Sequence, residues 1–124
     1  MRKTCEIHLL GGFRVVVDGI AVPDDAWRHR RGADLVKQLA LAPGHRLHRE
    51  QVMDTLWPDL PVEAAAANLR KATHFARRAL GWEGSIGIDA EMLALVPGAE
   101  LHSDVERFED AAGEALRGPF PHED

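Results

Sequence analysis

The sequence predicts an α+β fold: a small antiparallel sheet, then three helices, a β-hairpin and one further helix. Three observations predict it. Short β-branched runs separated by glycines open the chain, apolar residues recur at helical spacing between proline and glycine stops over 26–81, and two β-rich runs return over 85–96. At 124 residues and 45% hydrophobic content, the chain can build one domain with a proper core plus an appendage.

The opening sheet is read from apolar runs at 6–10 and 13–17, joined through Gly11-Gly12, and from a short third strand at 20–22 after Asp18-Gly19. Trp27 then precedes a basic cluster of Arg28, His29, Arg30 and Arg31. Gly32, Leu35, Val36, Leu39 and Ala40 follow at helical spacing, and Pro43-Gly44 stops the run. An arginine-rich start opposes the helix dipole, so an external anion could compensate it. Residues 45–48 read as a strand-like link. A shorter helix over 49–57 buries Val52, Met53, Leu56 and Trp57, and Pro58 and Pro61 break it.

The third helix, 62–80, is the segment the other elements present. At about 100° per residue, Leu69, Ala72, Thr73, Ala76 and Leu80 form one stripe, while Lys71, His74 and Arg78 point the opposite way. Arg70 and Arg77 lie on one flank, Asn68 and Phe75 on the other. Cationic and amide groups on such a face can pair with phosphates and with base edges in a DNA major groove, although basic faces also occur on ordinary surface helices. Gly81 is the expected C-terminal cap. Helix, short rigid loop, helix is the order of a helix-turn-helix unit.

Strands over 85–89 and 92–96 flank the turn Ala90-Glu91, which lacks the Asn-Gly chemistry that sets a tight hairpin's register. An amphipathic segment over 104–116 places Val105, Phe108, Ala112, Ala115 and Leu116 on one side, with Asp104 as its N-cap.

The formal charge of −5 hides a division along the chain. Residues 26–82 carry ten basic and five acidic groups, net +5, whereas 83–124 carry two basic and eleven acidic, net −9. With a Debye length of about 8 Å, a distant acidic tail does not cancel a local basic surface. The single Cys5 excludes an internal disulfide, and no apolar run is long enough for a membrane span or a secretory segment, so a cytoplasmic location is expected. No motif for a bound metal, a cofactor or a phosphate loop occurs, and no acid, base and nucleophile are singled out. An enzyme is not expected.

Several words carry a resemblance: LLGGFRV at 9–15, WRHRRGADLVKQLALAPGHRLHREQVMDTLWPD at 27–59, AAAANLRKA at 64–72, RRALG at 77–81 and DVERFEDAA at 104–112. Together they resemble the DNA-binding region of the actinobacterial antibiotic regulatory proteins, bacterial transcriptional activators with an OmpR-like winged helix-turn-helix followed by a helical activator domain. The resemblance implies a winged-helix domain over 1–98, with the hairpin as the wing. It makes 99–124 a linker and the first helix of a truncated or absent activator domain. It further implies cytoplasmic regulation of transcription through double-stranded promoter DNA, with tandem copies on direct repeats and RNA polymerase as a partner.

Base-reading positions would be Asn68, Arg70, Lys71, His74, Phe75 and Arg78; phosphate anchors Arg28, Arg30, Arg31, Arg49 and Arg77; and the polymerase-contact loop would include Trp57, Asp59 and Leu60. Two uses are open to Phe75, contact with a thymine methyl or cover for a neighbouring strand. Three features depart from the family pattern. Thr73 and Ala76 stand where larger aliphatics are usual, which predicts a loosely seated third helix, and Glu91 puts an acid in the wing. These three motivate an alternative, a protein-interaction module of winged-helix shape that modulates another regulator or polymerase without binding DNA.

Overall fold

A computed structural model describes residues 3–96 and 100–104. The fold is α+β, with three α-helices and two small sheets among these residues. Strands β1 (Thr4–His8), β2 (Arg14–Val17) and β3 (Ile20–Ala21) form an antiparallel meander. Alternation along β1 turns Cys5 and Ile7 inward, and Val15 of β2 joins them. The Asp18-Gly19 turn has φ of +51° and +82°, the paired positive values of a two-residue hairpin whose twist suits its strands.

The first strand begins two residues earlier than the apolar run suggested. Asp18 accounts for one end, accepting the Thr4 N–H at 2.8 Å. At the other end the N–H groups of Leu9 and Leu10 turn away to the Asp104 carboxylate, at 2.9 and 3.0 Å. Residues 9–13 therefore connect strands instead of extending them.

Helix α1 (Arg30–Leu41) leads through a tight turn to β4 (Arg46–His48), α2 (Arg49–Leu56) and α3 (Val62–Leu80). After α3, β5 (Ile86–Asp89) and β6 (Met92–Leu95) form a hairpin, and β4 adds to it in the order β4-β6-β5. The link expected at 45–48 thus contains a true strand, over Arg46–His48. Gly81 caps α3 at φ +80°, its N–H reaching the Arg77 and Arg78 carbonyls.

Strand β7 (Glu100–Ser103) corrects the linker reading of that stretch. It lies parallel to β1, with Cys5 opposite Leu101, and completes the four-stranded order β3-β2-β1-β7. The first sheet thereby joins the two ends of the described chain. The amphipathic segment expected beyond Asp104 falls outside the described residues.

One apolar core unites these layers, drawing Ile7 and Val15 from the first sheet, Leu35, Val36 and Leu39 from α1, Val52 from α2, Leu69 and Leu80 from α3, and Leu93 and Leu95 from the hairpin. At roughly 1.5–3 kcal/mol for each large aliphatic side chain fully buried, this shared core holds α3 in place.

The small residues of α3 have a packing reason. A Cβ built on Gly32 would stand 3.2 Å from the Ala76 nitrogen and 3.5 Å from the Ala72 carbonyl oxygen, so α1 and α3 meet backbone to backbone. Ala76 is fully buried at that crossing. Thr73 is buried too, and its hydroxyl donates to the Leu69 carbonyl at 2.8 Å. Ala76 provides close approach, and Thr73 is a buried side chain satisfied within its own helix; both belong to the buried stripe of α3.

Candidate nucleic-acid interface

Helix α3 buries Ala65, Leu69, Ala72, Thr73, Ala76 and Leu80. Lys71, His74 and Arg78 are exposed on the other side, as the helical spacing predicts. At 1.5 Å per residue, its 19 residues make a cylinder about 28 Å long. Such a helix can follow a major groove about 12 Å wide for several base pairs.

The start of α1 extends this face. His29 occupies its N-cap position without a side-chain capping bond, and no acid stands in the first turn. Backbone donors and two arginines therefore share one end of the helix, an arrangement that attracts anions. Arg30 and Arg31 line a shallow depression of about 270 Å³ together with Asn68 and Lys71 of α3. Arg28 and Arg78 line a second depression beside it. Arg31 is already committed in part, with its Nη1 2.8 Å from an Asp34 carboxylate oxygen.

Phe75 lies between the two depressions and is half-buried. Its ring stacks on His29 with centroids 3.4 Å apart and planes 11° from parallel, and His74 meets its edge at 5.2 Å. The phenyl face toward α1 is therefore covered. Phe75 thus packs on the start of α1, not on the neighbouring strand expected of a covering role, and fastens α1 to α3. His29, one of the basic cluster at 28–31, joins this face of the molecule through that stack.

Arg77 is engaged as well. Its Nε and Nη2 donate to the Ile86 carbonyl at 3.1 and 2.6 Å, and its Nη1 reaches Glu83 at 3.3 Å. The guanidinium satisfies a carbonyl at the start of β5 and ties α3 to the hairpin. Arg70, by contrast, is exposed and lines a cleft between α3 and the β5–β6 hairpin opposite Arg49. The two flanks of α3 thus differ, with Asn68 toward α1 and Arg70 toward the hairpin.

Between α2 and α3, Trp57 ends α2 with its N–H on the Met53 carbonyl, and its ring packs against the core. Asp59 and Leu60 are exposed, so the outward part of the segment 57–62 consists of those two residues and their neighbours.

At the hairpin turn, Glu91 is held down. Its carboxylate lies 2.9 Å from His48 Nε2, and its carbonyl accepts the Arg49 N–H at 2.8 Å. His48 in turn caps α2, with Nδ1 accepting the Glu50 N–H. The acid in the hairpin is thus tied to the start of α2.

Cys5 is enclosed in the core beneath the first sheet. Burial, reinforced by the negative charges of Glu6 and Asp18, pushes its thiol up to about 12. It is a core residue with no nucleophilic character near neutral pH. Among the described residues, no helix is long and apolar enough to cross a membrane. No protein-family model matches this chain, and a search of the curated proteins finds no match.

Proposed function

We propose that this chain is a sequence-specific, double-stranded-DNA-binding regulator of transcription, built as an OmpR-like winged helix-turn-helix and without catalytic activity. The observation that carries the reading is the outward row of Lys71, His74 and Arg78 on a firmly buried helix, continued by Arg28 and Arg30 at the start of α1. In this reading α3 lies in the major groove, where Asn68, Lys71, His74 and Arg78 face base edges. Arg28, Arg30 and Arg49 hold phosphates, and the β5–β6 hairpin serves as the wing. Promoter direct repeats occupied by tandem copies, and contact of Asp59 and Leu60 with RNA polymerase, complete the proposal as an activator.

The features that favoured a protein-interaction module without DNA binding have other uses. Ala76 serves the α1–α3 crossing, Thr73 is buried with its hydroxyl satisfied inside α3, and Glu91 ties the hairpin to α2.

Selection of duplexes from a random pool, followed by fluorescence anisotropy at several salt concentrations, tests the proposal. A selected duplex should bind with log affinity falling by about 0.9 per decade of salt for each phosphate neutralised. A flat salt response, or no enriched sequence, would overturn it.

A further inference from the structure

We propose that the cleft between α3 and the β5–β6 hairpin binds a small amphipathic anion, an apolar body carrying one carboxylate or sulfonate. The cleft encloses about 410 Å³, within the range of roughly 300–1,000 Å³ that small-molecule sites occupy. Its floor is apolar, formed by Leu69 of α3 and Leu93 of β6. Ile88 of β5 stands at its edge and is 59% exposed, a large aliphatic left without cover.

Charge lines the same space. The guanidinium groups of Arg49 and Arg70 border the cleft, and neither has an ion-pair or hydrogen-bond partner among the described residues. Arg77 also borders it, but its donors are spent on Ile86 and Glu83, so it forms wall. The lining also holds one acid, Glu91, which accepts a hydrogen bond from His48 and keeps its charge. Two unpaired arginines against one carboxylate therefore leave a net positive cleft beside an apolar surface.

These two properties select one ligand chemistry. A bare inorganic anion would use the arginines and gain nothing from Ile88, Leu69 and Leu93. A neutral apolar molecule would cover the aliphatics while drawing the guanidinium groups away from water without compensation. An apolar body with one anionic group serves both, burying the aliphatics and accepting from Arg49 or Arg70. Such a ligand would sit against the flank of α3, in the space a duplex backbone needs. This last consequence rests on the DNA reading; occupancy of the cleft does not.

The test is titration of the full chain with 1-anilinonaphthalene-8-sulfonate, read by its fluorescence, beside N-phenyl-1-naphthylamine, which lacks the sulfonate. Saturable binding of one sulfonate probe per folded chain is expected, weakened about two- to fivefold by Arg70→Ala, with weaker binding of the neutral probe. Ile88→Asp, a change at an exposed position, should weaken both probes while thermal melting stays near that of the native chain. Absence of saturable binding, equal affinity for the two probes, or affinity untouched by both substitutions overturns the site. Where a selected duplex binds, the sulfonate probe should displace it; simultaneous binding of both overturns the competition. If no duplex binds, the DNA reading fails and the probe titration still decides the cleft.

Discussion

His48 joins Glu91 to the start of α2 through both nitrogens of one ring. Nε2 lies 2.9 Å from the Glu91 carboxylate, and Nδ1 accepts the Glu50 N–H at 3.1 Å. A neutral imidazole with its proton on Nε2 satisfies both contacts, because Nδ1 must keep a lone pair for the capping bond. The hairpin turn is therefore positioned by a helix cap. His48→Ala removes the cap and the tie together and should cost about 1–2 kcal/mol in chemical denaturation. Glu91→Gln keeps a hydrogen-bond acceptor and should cost less than about 0.5 kcal/mol, as exposed pairs contribute little. Equal losses for the two substitutions would show that the carboxylate charge, not the cap, holds the turn.

The α1–α3 crossing predicts that Gly32→Ala is harmful in spite of alanine's better helix propensity. That propensity favours alanine by up to about 1 kcal/mol. Against it stands a Cβ only 3.2 Å from the backbone nitrogen of Ala76, and backbone cannot swing aside as a long side chain can. Overpacking of this kind costs roughly 1–3 kcal/mol, so a net loss of about 1 kcal/mol is expected on thermal or chemical unfolding. A stabilised Gly32→Ala chain would mean that the helices separate easily. In that case the small side chain of Ala76 would need another explanation.

The elements whose signals lie within one stretch of sequence were legible. The bounds of α3 follow from Pro61, the spacing of Leu69, Ala72, Thr73, Ala76 and Leu80, and Gly81. Its outward residues follow from the same spacing. What spacing could not reveal is the fate of flanking side chains, because their partners come from elsewhere in the chain. Arg77 meets a carbonyl oxygen, a group every residue carries, and Phe75 meets His29 from another helix. Strand β7 was hidden for a different reason. Its four residues, Glu-Leu-His-Ser, contain one large aliphatic, and its partner is the first strand of the chain. The size of Ala76 was visible as a departure from pattern, but its cause required Gly32 opposite.

The hairpin turn carries a correctable strain. Ala90 sits at φ +56°, where its Cβ crowds the backbone, at a cost of roughly 1–2 kcal/mol. Glycine adopts that conformation freely but has more freedom to lose on folding, about 0.5–1 kcal/mol. Ala90→Gly should therefore stabilise modestly, raising the melting temperature by about 2–4 °C. The Asp18-Gly19 turn already places glycine at one positive-φ position and supplies the comparison. Gly19→Ala should lower the melting temperature. Equal and negligible shifts for both substitutions would count against strain at these turns.

Cys5 makes stability depend on alkaline pH. Its thiol, held at about 12 in the folded chain against an ordinary 9.0, is favoured there in its neutral form. The sign follows from that difference: the stabilising contribution is whole below pH 9.0 and disappears as pH climbs toward about 12. The stability advantage of the native chain over Cys5→Ala should shrink across this window, read from denaturation midpoints at matched pH. At pH 8 an aromatic disulfide reagent should modify Cys5 only on unfolding. Rapid labelling of the folded chain would show the thiol to be accessible.

The proposed interface divides into exposed side chains without a hydrogen-bond or ion-pair partner among the described residues and side chains already in use. Lys71 and His74 stand exposed on the outward face of α3, so Lys71→Ala and His74→Ala should relax base preference in a binding-site selection. Arg30, exposed at the first turn of α1, should act on phosphates, so Arg30→Ala weakens all duplexes alike and lowers the salt slope by about 1. Arg77 should behave differently from each. With its guanidinium on the Ile86 carbonyl, Arg77→Ala leaves a partly buried acceptor unsatisfied, at a cost of about 1–3 kcal/mol of stability. It should leave the salt slope unchanged, because no phosphate contact is lost. A chain with Arg77→Ala that keeps its stability but binds DNA with a reduced slope would return that arginine to the phosphate anchors. It would also make the bond to Ile86 a resting position the duplex displaces.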